Sequence, residues 1–283
     1  MPEGDTVWQA AHRLHAALAH RPLTHADLRV PRFATADLTG RKVLDVTPYG
    51  KHLLTRIEGG LTLHSHLRMD GTWRIYAPGE PWRGGPSHQI RAVLQNTEAT
   101  AVGYRLPVLE LLRTADEPTT IGHLGPDLLS PHWHKDPSLQ DQAVRNLLAT
   151  PDRPLGEALL DQRNLAGIGN VYKSELCFLA RVTPWLPVGT LAPDLPARLV
   201  ATAHRLLDLN KDHPDRRTTT TPRTSHPHTS HPHQHTPDRL YVYGRESRPC
   251  LRCATPVRKA DQGDGTRERP TYWCPNCQQG PTN

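Results

Sequence analysis

At 283 residues the chain is long enough for two modest domains and too long for one small core. A formal net charge of +6 and a pI near 9.2 favour a polyanionic partner. There is no apolar run of the roughly eighteen residues that a membrane helix needs, and no basic segment leading into an apolar stretch and a cleavage site, so the expectation is a cytoplasmic, nucleoid-associated protein with no membrane partner.

The chain starts Met1-Pro2-Glu3. Trimming of Met1 before a small residue leaves Pro2 with a free secondary amine, and α-amines titrate near about 7.7 to 8.0, so part of it is unprotonated at neutral pH. Such an amine can attack an electrophilic carbon directly; an ordinary Met-Pro-Glu start, as many proteins have, is the alternative. Condensed with a sugar C1 it gives an iminium that acidifies the C2 proton and supports β-elimination of a phosphate, with Glu3 placed to move protons. Val7, Ala10, Ala11, Leu14, Ala17 and Leu18 recur at helical spacing, which predicts a helix beginning just after Glu3 with Asp5 or Thr6 as N-cap. The positive end of its dipole would favour the unprotonated amine and help to hold an anion.

From Arg41 the texture changes to β runs over Lys42 to Thr47, His52 to Ile57, Leu61 to Leu67 and Trp73 to Tyr76, separated by turn signals at Pro48-Tyr49-Gly50 and Gly59-Gly60. Weaker runs lie at Gln89 to Gln95 and Thr100 to Leu106, which predicts a sheet-based domain over residues 1–125. After Gly125-Pro126-Asp127 the pattern turns helical through Ser138 to Thr150, Pro154 to Leu160, Asn170 to Ala180 and Leu195 to Leu209, giving a helical domain over 126–210. At its centre, Leu159 to Tyr172 reads as two helices joined by a turn containing Gly167 and Gly169. Such glycines let backbone amides approach a phosphate, and Asn170 can donate from its side chain; an ordinary helical corner is the alternative.

Residues 211–239 contain a Thr218 to Thr221 run and a near repeat of Ser-His-Pro-His, a composition that builds no core. A His/Pro/Thr-rich linker is the preferred reading over a metal-binding histidine tract. Cys250-x-x-Cys253 and Cys274-x-x-Cys277 follow, with 20 residues between the pairs, a spacing that forms a closed four-thiolate site for one structural Zn2+ over residues 240–283. Arg267 and Arg269 fall between the pairs, near the tip of the hairpin this implies, as solvated loop charge or as phosphate contacts. Cys177, in an apolar run, reads as a small buried hydrophobe.

Three separated motifs carry a resemblance: Met-Pro-Glu-Gly at the start; Leu-Asp-Gln followed by Gly-Ile-Gly-Asn-Val-Tyr; and Val242-Tyr243-Gly244-Arg245 leading through Arg248-Pro249-Cys250 to Tyr272-Trp273-Cys274-Pro275-Asn276-Cys277-Gln278. Together they resemble the formamidopyrimidine-DNA glycosylase/endonuclease VIII family from end to end. The resemblance implies an α+β fold: an N-terminal β-sandwich with its leading helix, a helix-two-turn-helix domain and a zinc-bound β-hairpin. It further implies a monomer holding damaged double-stranded DNA in an interdomain cleft.

Carried onto this sequence, the resemblance makes Pro2 the Schiff-base nucleophile at C1′ and Glu3 the proton-transfer group. Lys51, otherwise a solvated turn lysine, lies near the scissile phosphate. Asn170 and Arg269 hold backbone phosphates, and Met69, otherwise core, fills the gap left by the extruded base. The continuation Gly4-Asp5-Thr6 is closer to the endonuclease VIII branch, which implies oxidised pyrimidines as substrates and β,δ-elimination; 8-oxoguanine or formamidopyrimidine preference and a non-catalytic damaged-DNA reader are the alternatives. No Arg-x-Phe wedge partner is found near Tyr104-Arg105-Leu106.

Overall fold

The computed structural model describes residues 2–219, 238–263 and 268–282. It divides into two compact units that do not follow chain order: residues 1–146 with 162–169, and residues 147–161 with 170–283.

In the first unit, helix α1 (Gly4–Leu18) buries Val7, Ala10, Ala11, Leu14 and Leu18, the predicted stripe. Its N-cap differs from expectation. The helix starts at Gly4 and the cap position is Glu3, in extended backbone and without a side-chain cap bond, whereas Asp5 accepts from the Thr6 amide at 2.7 Å. The cause is long-range: the Gly4 amide donates to Gly167 O at 2.9 Å, so the first turn is anchored one residue before any capping side chain.

Eight strands follow: β1 (His25–Leu28), β2 (Val43–Tyr49), β3 (His52–Ile57), β4 (Leu61–His66), β5 (Thr72–Tyr76), β6 (Ile90–Gln95), β7 (Thr100–Tyr104) and β8 (Val108–Arg113). They form two four-stranded sheets, ordered β1-β6-β7-β5 and β2-β3-β4-β8, with every pairing antiparallel. Alternation sends Val43, Val46, Leu53, Ile57 and Leu63 of one sheet and Leu28, Trp73, Ala92, Leu94 and Ala101 of the other into one core with the α1 stripe, which is the predicted β-sandwich with leading helix. Leu53 is wholly buried there, so Leu53→Ala should cost about 2 to 5 kcal/mol in a urea titration.

On the outer face of the second sheet Arg56 forks onto both carboxylate oxygens of Glu117 at 2.8 Å and reaches Asp45 at 3.0 Å, while Thr62 donates to Glu117 at 2.7 Å. This pins the short helix α2 (Glu117–Ile121) against the sheet. Helix α3 (Pro137–Leu148) comes next in the chain.

In the second unit α4 (Leu155–Leu160), α5 (Asn170–Ala180) and α6 (Leu195–Asn210) are followed by an antiparallel hairpin, β9 (Arg258–Gln262) with β10 (Arg269–Trp273). Phe178 of α5 packs with Tyr241, Val242, Cys250, Val257 and Cys274. The wholly buried Glu175 carboxylate accepts the amides of Tyr241, Val242 and Tyr243 at 2.8 to 2.9 Å, and the Thr218 hydroxyl donates to it as well. Burial raises its pKa above the usual carboxylate value, against the pull of those bonds. Cys177 is wholly buried in α5 and burial pushes its thiol up to about 12, as befits a packing residue and not a reactive one. Among the described residues no helix is long and apolar enough to cross a membrane. The Ser-His-Pro-His repeats lie outside the described residues.

Candidate active site and cysteine centre

The first turn of α1 places Pro2 and Glu3 at its N-terminus, Pro2 half-buried and Glu3 fully buried. A buried carboxylate needs hydrogen-bond donors, and Glu3 Oε2 accepts the Gly169 amide at 2.7 Å. The segment that supplies this donor is tightly determined. Gln162 donates to Ile168 O at 2.9 Å and accepts the Gly167 amide at 3.1 Å, and Gly167 has φ of 115°, a conformation that side chains resist. From the tight turn between β2 and β3, the Lys51 amine donates to Ile168 O. Glu3 and Lys51 are thus bonded to one glycine-rich turn of the first unit, and Pro2 directly precedes Glu3 at the start of α1.

Gly169 has a structural reason to be glycine: a Cβ there would lie 2.5 to 2.8 Å from Cδ, Cγ and Oε1 of Glu3. The Gly169 amide, expected from the sequence to face a phosphate, is turned onto Glu3. Gly169→Ala should therefore displace the Glu3 carboxylate, read as a shifted side chain in a crystal structure of the variant, with the folded state retained by circular dichroism. Nothing local in the sequence signals the Glu3–Gly169 or Lys51–Ile168 contacts.

In the second unit, Asn170 begins α5 and is 2 % exposed; its Nδ2 donates to Pro270 O at 2.6 Å and its Oδ1 has no partner. Lys173, fully buried one turn on, donates to the Thr271 hydroxyl at 2.5 Å. Both bonds fasten α5 to β10. Arg269 opens β10 opposite Gln262 and is exposed; Arg267 lies outside the described residues. In the first unit Met69 is 54 % exposed and not core. It borders a groove of about 700 Å³ with Arg68, Asp70, Gln89, Arg91 and Arg105.

The four paired cysteines converge: one sulfur from each of Cys250, Cys253, Cys274 and Cys277 lies within 4.8 Å of all the others, with Cys250–Cys277 at 3.9 Å and Cys253–Cys274 at 3.4 Å. A tetrahedral ion with bonds of about 2.3 Å to thiolate sulfur sets sulfur–sulfur edges of about 3.8 Å. The donor set therefore fits a four-thiolate metal site.

Residues 1–106 match the formamidopyrimidine-DNA glycosylase N-terminal domain, and residues 124–211 match the formamidopyrimidine-DNA glycosylase H2TH domain. The chain is 66 % identical to the probable endonuclease 8 2 of Streptomyces coelicolor, over 99 % of this chain and 95 % of that protein. It is 45 % identical to the DNA-(apurinic or apyrimidinic site) lyase Nei2 of Mycolicibacterium smegmatis, over 98 % of this chain and 99 % of that one. Endonuclease 8 of Escherichia coli is 33 % identical over 98 % of this chain and its whole length. In fold, the chain is similar to Lactococcus lactis Fpg in complex with DNA containing an abasic site, with a TM-score of 0.78 at 20 % identity over 98 % of this chain and 100 % of that one. The sequence motifs, the sandwich with its leading helix and the cysteine cluster converge with these matches: the chain belongs to the formamidopyrimidine-DNA glycosylase/endonuclease VIII family of DNA glycosylase–lyases.

Proposed function

We propose that the protein removes oxidised pyrimidines from duplex DNA and cleaves the strand at the resulting abasic site, acting as a monomer in base excision repair. The observation that carries this reading is the corner where Pro2 and Glu3 stand at the start of α1, with Glu3 held on Gly169 and Lys51 on Ile168. Pro2, once freed of Met1, attacks C1′ of a nucleotide turned out of the stack, and the C1′–base bond breaks as the base leaves with a proton. The amine nitrogen loses its proton and the C1′–O4′ bond opens, O4′ taking a proton, and the resulting iminium acidifies the C2′ proton. Its removal breaks the C3′–O bond by β-elimination, and a second elimination breaks the C5′–O bond. Glu3 is the group that carries protons through these steps. Lys51, Asn170 and Arg269 contact backbone phosphates, the Gly169 amide holds Glu3 in place, and Met69 enters the space the base vacates.

The cysteines would hold one Zn2+ in a closed site without an open coordination position, so its contribution is folding energy for the hairpin. Oxidised pyrimidines are favoured by the Gly4-Asp5-Thr6 start and by relatives named endonuclease 8. Side-by-side single-turnover kinetics on thymine glycol and 8-oxoguanine duplexes test the lesion class. Thymine glycol is expected to be released faster by tenfold or more, in the range one set of pocket contacts can discriminate; faster release of 8-oxoguanine overturns the assignment.

A further inference from the structure

The outer face of the β2-β3-β4-β8 sheet carries a chain of three titratable side chains close to Lys51. Glu110 Oε2 lies 3.0 Å from His64 Nδ1, and His64 Nε2 lies 2.9 Å from His52 Nδ1. Strand register makes the chain: His64 of β4 is opposite Glu110 of β8, and His52 of β3 is opposite His66. His64 is 2 % exposed, while the Glu110 side chain is half open to solvent.

The hydrogens on these rings follow from the partners. A carboxylate only accepts, so His64 Nδ1 carries a hydrogen toward Glu110. In the neutral ring Nε2 is then an acceptor, His52 donates to it from Nδ1, and His52 Nε2 is left as an acceptor. His66 Nδ1 accepts the Arg68 amide at 2.9 Å, so the neutral His66 carries its hydrogen on Nε2; its ring meets that of His52 edge to face at 4.9 Å.

Burial, then the neighbouring His66, His64, His123 and Lys51, holds His52 down at about 3. Burial, then Lys51, Arg68 and His64, holds His66 down at about 4. Of the three rings only His64 is paired with a carboxylate among the described residues, so the geometry gives a proton added to the cluster its place there. His64 Nε2 then donates to His52 Nδ1, and the hydrogen of His52 must sit on Nε2. One proton comes in from solvent, none leaves, and the charge stays between His64 and Glu110. What changes beside Lys51 is that His52 Nε2 turns from acceptor to donor.

We propose that His52 is a further phosphate-contacting residue next to Lys51, and that Glu110 and His64 are positioning residues that decide whether its Nε2 accepts or donates. The inference rests on the reading of Lys51 as a phosphate contact. A phosphate favours the donor form, so binding takes up a proton and tightens as pH falls.

The test is fluorescence anisotropy with a duplex carrying a tetrahydrofuran abasic analogue, at fixed salt, from about pH 5.5 to about pH 8, which brackets histidine titration. The wild-type slope of log Kd against pH should approach one proton per complex. His64→Phe should flatten it, Glu110→Gln should move its onset to lower pH because the carboxylate that holds the proton is gone, and His66→Phe should retain it. An unchanged slope in Glu110→Gln, or in a folded His64→Phe, overturns the proposal, as does loss of the slope in His66→Phe. Lys51→Ala, measured at pH 8, separates the two claims: full affinity there sinks the Lys51 reading, whereas weakened binding with unaltered slopes in the relay variants sinks the relay.

Discussion

Glu3→Gln is expected to slow base release from a thymine glycol duplex by about 10²- to 10⁴-fold, the range a positioned general acid or base supplies. The substitution is close to isosteric, and the amide oxygen of the glutamine can accept the Gly169 amide as Oε2 does now at 2.7 Å. Position and packing are thereby kept while the capacity to exchange a proton is lost. Because Glu3 is fully buried and the substitution keeps its volume and its bond to Gly169, thermal stability should hold to within about 1 kcal/mol. The check is single-turnover excision together with a melting curve and the affinity for an abasic analogue. A rate within tenfold of wild type at unchanged affinity would remove Glu3 from the chemistry.

Cys274→Ala should release the metal and loosen the hairpin. Cys274 is fully buried and lies in one cluster with Cys250, Val257 and Phe178, and closed thiolate sites bind with apparent free energies of about 10 to 16 kcal/mol, more than a short hairpin can supply from its own contacts. Arg269 and Pro270, which anchors Asn170, are both on β10, so two of the proposed DNA contacts depend on that strand. The expected result is zinc content falling from one per chain to near zero by elemental analysis, with affinity for abasic DNA down by more than about tenfold and a shallower salt dependence, as lost phosphate contacts release fewer counterions. Full affinity in a zinc-free variant would show that the hairpin does not carry DNA contacts.

Much of the fold was legible because its signals are local. Period-2 and period-3.6 patterns placed β3 at His52–Ile57 and α5 at Asn170–Ala180, and paired cysteines announced a centre whose sulfurs do converge. Three elements went unread. β1 has four residues with one buried, too short to show alternation; β8 reads Val-Leu-Glu-Leu-Leu-Arg immediately after a proline, without a clear period; α2 is a single turn made by the Glu117–Arg56 contact, not by propensity. The candidate site could be proposed from residue types, but its geometry had no signal in the sequence. Glu3 and Gly169 are separated by 166 positions and Lys51 and Ile168 by 117, so the contacts that orient the predicted residues exist only once the sandwich and the turn are folded. The same holds for Glu110, His64 and His52, which three strands bring together and which no sequence spacing marks.

The central claim is that the amine of Pro2 forms a covalent imine with the sugar. It is tested most directly by borohydride trapping on an abasic-site duplex, comparing the processed protein with a form in which retained Met1 blocks Pro2, both confirmed by intact mass. The account predicts a trapped protein–DNA adduct that maps to Pro2 and forms only with the unblocked protein. Equal trapping by the blocked form, or none by an unblocked protein that binds the same DNA tightly, would contradict it.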